Sequence, residues 1–195
     1  MANIAAEKSA CTELILRKTL PLLLEFLEDT KIEPFVKKEI VWVLANIAGD
    51  SAKCRNQLMI VGTMEKVIYL MESQKNSELE KNCVWFISNL WRHKEPFPDF
   101  EIIKTCIPVL IKSLHHERSD VVCYACWALK YICDGTVSQC QELVKAGVLP
   151  KIVELLKNEN KSIVICSLLV CINMTSGSND IAQNVIDAGL IPKLK

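Results

Sequence analysis

Residues 41–47 read Val41-Trp42-Val43-Leu44-Ala45-Asn46-Ile47, and the same arrangement returns three times along the chain. It reappears as Val84-Trp85-Phe86-Ile87-Ser88-Asn89-Leu90, as Cys126-Trp127-Ala128-Leu129-Lys130-Tyr131-Ile132, and as Leu168-Leu169-Val170-Cys171-Ile172-Asn173-Met174. The position four after each tryptophan, or after Leu169, falls at 46, 89, 131 and 173, in steps of 43, 42 and 42. One period before Asn46 lies Asn3. Self-similarity at such a period marks a stack of small supersecondary units, none of which can bury its own apolar face.

Two further markers keep the same phase. Leu20-Pro21, Ile107-Pro108 and Leu149-Pro150 each head an amphipathic stretch, and Ile191-Pro192 starts another. Proline suits a first helical turn, where its missing N–H has no intrahelical acceptor to lose. Ala146-Gly147 and Ala188-Gly189 supply a glycine to end the preceding helix. Polar loops at 28–31, 72–76, 115–120 and 158–161 separate a middle helix from a long third one. Three helices in about 42 residues is the armadillo pattern. The expected fold is therefore all-α, a right-handed superhelical solenoid of armadillo repeats forming one domain over 1–195. Repeats are expected at 8–50, 51–93, 94–135 and 136–178, with 1–7 ending an earlier repeat and 179–195 starting a further one. Ends without a polar capping repeat expose stacking surface, which suggests part of a longer protein and allows end-to-end association.

Composition narrows the function classes. Half of the 195 residues are hydrophobic, and 23 Lys+Arg balance 23 Asp+Glu. Zero net charge argues against a general nucleic-acid binder, which needs surplus cations to neutralise phosphates. The longest apolar run, Ile163 to Met174, is shorter than the ~20 residues of a membrane span. No secretory signal opens the chain, so its ten cysteines read as buried, reduced thiols of an intracellular protein. No phosphate-cradling glycine loop, nucleophile elbow or acid/base pair is present, which points away from an enzyme and from any cofactor. Cys123-x-x-Cys126 has no second pair at ligand spacing and reads as core packing rather than a metal or redox motif. His115-His116 reads as a solvated turn, and Trp91 as packing beneath the loop of Pro96 and Pro98.

Residues three or four apart share a face of a helix. Glu39, Trp42, Asn46 and Asp50 form one such stripe; Asn82, Trp85, Asn89 and His93, with Arg92 beside them, form the next. Tyr124, Trp127, Tyr131 and Asp134 follow, then Cys166, Leu169, Asn173 and Gly177. A buried, unsatisfied amide costs roughly 1–3 kcal/mol, so an asparagine recurring in nearly every repeat suggests a binding surface. An asparagine amide can bracket one backbone C=O and N–H of an extended peptide. Intervening side chains would lie between indoles, which favour a cation on the ring face. Glu39, Asp50 and Asp134 would supply countercharge. The expected ligand is an extended, Lys/Arg-rich peptide; the alternative is an armadillo scaffold for another peptide or a folded partner.

These residues resemble the importin α (karyopherin α) family, the adaptors that recognise classical nuclear localisation signals. The likeness rests on the Trp-x-x-x-Asn array, Asn46-Ile47-Ala48-Gly49-Asp50, Ser88-Asn89-Leu90 with Arg92, His115-His116, Cys126-Trp127-Ala128, Asp134-Gly135 and Val185-Ile186-Asp187-Ala188-Gly189. In register it runs from the end of the second armadillo repeat to the start of the seventh. The resemblance implies that Asn3, Trp42, Asn46, Trp85 and Asn89 belong to the major peptide groove. It implies Thr12 and Asp50 in a pocket for the critical lysine, and Trp127, Tyr131 and Asp134 toward the linker region. Arg92 would disfavour further lysines at its end, and Asn173 continues the ladder. It further implies basic cargo as partner, importin β only through an N-terminal segment absent here, no nucleic acid or membrane, and shuttling between cytoplasm and nucleus. The sequence departs from the family pattern at Glu7, Tyr124 and Leu169, where a glycine, an acid and an arginine are expected.

Overall fold

In the computed structural model the described residues are 9–74 and 76–194. They form thirteen helices and no strand. The chain divides into two compact units, Met1–Pro98 and Asp99–Lys195.

The first unit holds α1 (Ser9–Glu28), α2 (Pro34–Asp50), α3 (Ala52–Ile60), α4 (Thr63–Ser73) and α5 (Ser77–Leu90). Pro34 sits in the first turn of α2. Ser51 ends that helix in extended conformation, and its hydroxyl accepts the Cys54 N–H at 3.2 Å to begin α3. Gly62, at φ 69°, takes the left-handed turn into α4 that a side chain would oppose. The Asn76 side chain then caps α5, accepting the amides of Glu78 and Leu79. The long helices α2 and α5 pack together, burying Val41, Leu44, Ile47, Val84, Phe86 and Ile87. Each such side chain contributes about 1.5–3 kcal/mol of hydrophobic stabilisation.

One expected break is missing. Pro21 does not open a new helix but lies inside α1, a continuous 20-residue helix. The preceding residues Arg17-Lys18-Thr19-Leu20 include no glycine to take a left-handed turn. Burial of Leu20, Leu23, Leu24 and Leu27 offsets the ~3 kcal/mol that an interior proline costs.

The second unit holds α6 (Phe100–Lys104), α7 (Ile107–Ser113), α8 (Ser119–Cys133), α9 (Val137–Lys145), α10 (Leu149–Leu155), α11 (Lys161–Thr175), α12 (Asn179–Asp187) and α13 (Leu190–Lys193). Pro108 and Pro150 stand in first turns as expected, and Gly147 and Gly189 have positive φ. Thr136 and Gln139 form a reciprocal capping box at the start of α9. The long helices α8 and α11 are packed partners here, as α2 and α5 are in the first unit.

Candidate functional site

Most of the residues expected to recognise a ligand fall on α2, α5, α8 and α11 or at their ends. Glu39, Trp42, Asn46 and Asp50 lie on α2, Trp85 and Asn89 on α5, Trp127 and Tyr131 on α8, and Asn173 on α11. Arg92 is exposed just after α5, and Asp134 follows the last residue of α8. Asn3 lies outside the described residues, and Thr12 lies on α1 with its side chain outside them.

Between α2 and α5, polar side chains of the later helix reach the backbone of the earlier one. Asn82 Nδ2 donates to Lys38 O at 3.1 Å, and Asn89 Nδ2 donates to Ala45 O at 2.9 Å. His93 Nε2 meets Gly49 O at 2.9 Å. Helical carbonyls retain a second lone pair, so they can accept these bonds without breaking the helix. Asn82 and Asn89 are consequently buried, at 6% and 7% exposure, whereas open amides were expected. The cost of an unsatisfied amide is avoided by the neighbouring helix itself. An amide nitrogen carries two hydrogens, so one N–H and the carbonyl oxygen of Asn89 are left by this bond. Gly49 makes the approach possible: a Cβ there would lie 3.1 Å from Asn89 Cγ and Nδ2.

The indoles are more open than the amides. Trp42 is 36% exposed, and Trp85 and Trp127 are half-buried. On α2, Glu39 pairs with Lys38 at 2.9 Å, and the Lys38 ammonium also lies over the Phe35 ring. Asp50 accepts a weak bond from the Cys54 thiol.

The α8–α11 pair arranges the same register differently. Asn173 Nδ2 donates to Lys130 O at 3.2 Å, two periods on from the Asn89 geometry. Trp127 stacks on Tyr131 with ring centroids 5.8 Å apart. Lys130 lies 5.0 Å from the Tyr131 ring centroid and bridges to Asp134 at 2.8 Å. A cation of the protein's own thus already sits against an aromatic ring and an acid of the stripe. Past it, a cleft of about 260 Å³ is lined by Asp134, Thr136, Cys140, Asn173, Ser176 and Gly177, among others.

Other residues singled out in the sequence have the following surroundings. Trp91 is buried, with its indole nitrogen unpaired. Arg55 is buried and donates to the carbonyls of His93 and Pro96, holding the Pro96 loop; burial lowers its pKa. His115 Nδ1 meets Ile111 O, and His116 Nδ1 accepts the Arg118 amide. Cys126 is fully buried against Ser167 Oγ, but Cys123 is half-buried and faces Cys166 instead of Cys126. Among the described residues no three His, Cys, Asp or Glu side chains gather as a metal ion would require. No described helix is long and apolar enough to cross a membrane. Gly49 and Lys130 escaped the sequence reading. A small residue three after Asn46 was the available signal for the first, and nothing local announced the second.

The model of the Armadillo/beta-catenin-like repeat matches residues 100–134, which span α6 to the end of α8. Importin subunit alpha-1b of Oryza sativa subsp. japonica is 32% identical over 195 residues, 100% of this chain and 36% of that protein. Over its whole length the chain is similar to importin α subunits. The probable importin subunit alpha-A of Dictyostelium discoideum is 34% identical over 174 residues, covering 80% of this chain and 31% of that protein. The chain thus spans about a third of the length of these importin α relatives. Among solved structures, a designed armadillo repeat protein in complex with peptide (KR)4 superposes with a TM-score of 0.89 at 27% identity. That match covers 99% of this chain and 80% of the designed one. The fold of this chain is an all-α armadillo solenoid.

Proposed function

We propose that the chain binds an extended, lysine- and arginine-rich peptide of the classical nuclear-localisation type, and serves nuclear import as the cargo-holding part of an importin α. The observation that supports this most directly is the pairing of partly open indoles on α2 and α5 with an α5 amide anchored on the α2 backbone. Trp42 and Trp85 offer ring faces to the stem and charge of a basic side chain. Asn89, fixed by Ala45 O, retains one donor and one acceptor for a peptide unit. Resemblance in fold to a designed protein in complex with a Lys/Arg peptide favours the same ligand chemistry. Shuttling between cytoplasm and nucleus follows from this role.

The test is a titration with two labelled peptides, one of Lys-Lys-x-Arg type and one with its central lysine changed to alanine. The basic peptide should bind at least tenfold more tightly, and its affinity should fall with salt because countercharges act through a screened field. Equal affinity for both peptides would overturn the reading in favour of a scaffold for another partner. The self-paired Lys130–Asp134 cluster on α8 is the feature that would favour such a scaffold.

A further inference from the structure

The α8–α11 seam brings two thiols together that belong to different repeats. Cys123 Sγ and Cys166 Sγ lie 3.8 Å apart. Cys123 is half-buried and open to solvent on one side, while Cys166 behind it is 1% exposed. Cys123 sits one turn before Trp127 on α8. We propose that Cys123 and Cys166 are a peroxide-responsive thiol pair, with Cys123 the attacking and Cys166 the resolving cysteine, closing to a reversible disulfide that staples α8 to α11.

The chemistry balances with a hydroperoxide as oxidant. The Cys123 thiolate attacks one peroxide oxygen, the O–O bond breaks, and hydroxide leaves, giving a sulfenic acid on Cys123. The Cys166 sulfur then attacks the sulfenic sulfur. The S–S bond forms, the S–O bond breaks, and the departing oxygen takes up the Cys166 proton and leaves as water. Overall two thiols and one hydrogen peroxide become one disulfide and two waters.

The surroundings assign the two roles. The hydrogen bond from Cys166 lowers the pKa of the Cys123 thiol to about 7 against the opposing effect of burial, and the Trp127 indole helps. The same contact with Cys123, reinforced by burial, raises that of Cys166 and keeps its proton in place. A disulfide needs sulfurs about 2.05 Å apart on Cα atoms closer than about 7 Å. Both sulfurs already face each other across packed helices, 3.8 Å apart. The other described thiols lack this combination. Cys126 is sealed against Ser167 Oγ, with a pKa pushed up to about 12. Cys133 and Cys140 are neighbours, but both are buried and the Cys140 thiol donates to Cys133 O.

Peptide mapping of the wild-type chain tests the assignment. The reduced protein is treated with near-stoichiometric hydrogen peroxide and digested without reductant. A Cys123–Cys166 cross-linked peptide should dominate and vanish with dithiothreitol, and the free-thiol count should fall by two. In Cys166→Ser, Cys123 should stop at sulfenic acid and be trapped by dimedone; in Cys123→Ser, Cys166 should remain reduced. A wild-type map showing Cys123 driven to sulfinic acid without the cross-link would overturn the proposal. So would a map dominated by Cys133–Cys140 or by intermolecular bridges. The wild-type map decides the matter even if a variant folds poorly, and it is independent of what binds Trp127.

Discussion

Between α2 and α5 three side chains reach across to the preceding helix: Asn82, Asn89 and His93. Eighty-four residues on, the same register holds Cys166, Asn173 and Gly177. Only the middle contact survives unchanged, as an asparagine amide on a helix carbonyl. The first has become a thiol facing a thiol, and the third has opened into a cleft lined by Asp134 and Gly177. Seating one long helix on another here keeps the central amide contact, while the outer positions are left to carry other chemistry. In the first unit they close the seam; in the second they hold a thiol pair and an open cleft.

The largest expected contrast is in thiol reactivity. Alkylation by iodoacetamide near pH 7 should be at least about a hundredfold faster at Cys123 than at Cys126 or at Cys83, whose pKa burial raises. Because the thiolate is the nucleophile and its pKa is lowered to about 7, the Cys123 rate should climb through neutral pH and then level off. Mass-spectrometric time courses measure this, and equal rates at Cys83 would erase the distinction between the seams.

Ligand binding should separate the two halves next. Trp85→Ala should weaken a basic peptide by about tenfold or more, and Trp127→Ala by only about threefold. Trp127 is already stacked on Tyr131, with Lys130 over the ring, so less of its face is on offer. Anisotropy titrations, with helicity checked by circular dichroism, make the comparison; the reverse order would place the ligand on α8.

Gly49→Ala should destabilise the first unit by ~1–3 kcal/mol in urea titration, since the added methyl crowds the Asn89 amide. It should weaken peptide binding as well, through displacement of that amide. A neutral result would mean that the amide contact does not fix the seam. The smallest effect belongs to Lys130→Ala. A partly exposed i,i+4 pair contributes about 0.3–0.5 kcal/mol, so stability should barely move. Peptide affinity should hold or rise about twofold, because Asp134 and the Tyr131 ring lose their internal cation.

The recurrence of Trp42, Trp85 and Trp127 made the long helices and their period legible, because residue spacing records helical faces directly. Pro108, Pro150, Gly147 and Gly189 marked turns for the same reason: their backbone restrictions are intrinsic. The continuous run of α1 through Pro21 was hidden, since burial of four leucines decides it and burial is a tertiary property. Gly62 performs the turn expected of the Ala-Gly markers but follows Val61, which masked it. At the stripe, the sequence displayed residue types and register but not which partner each donor takes. Asn89 could be placed on a face, yet its bond to Ala45 O depends on how closely Gly49 lets two helices approach. Cys123 was weighed against Cys126, its neighbour in sequence, when its true neighbour lies a full period away.

Lys37 carries a different kind of consequence. Its ammonium is buried at 4% exposure and donates to Leu27 O at 2.8 Å, near the end of α1. An acylating reagent needs the amine free, deprotonated and within reach, so this lysine is shielded for as long as α1 stays docked on α2. The extent of Lys37 acetylation, set against an exposed lysine such as Lys145, is therefore a built-in gauge of whether those two helices have parted company.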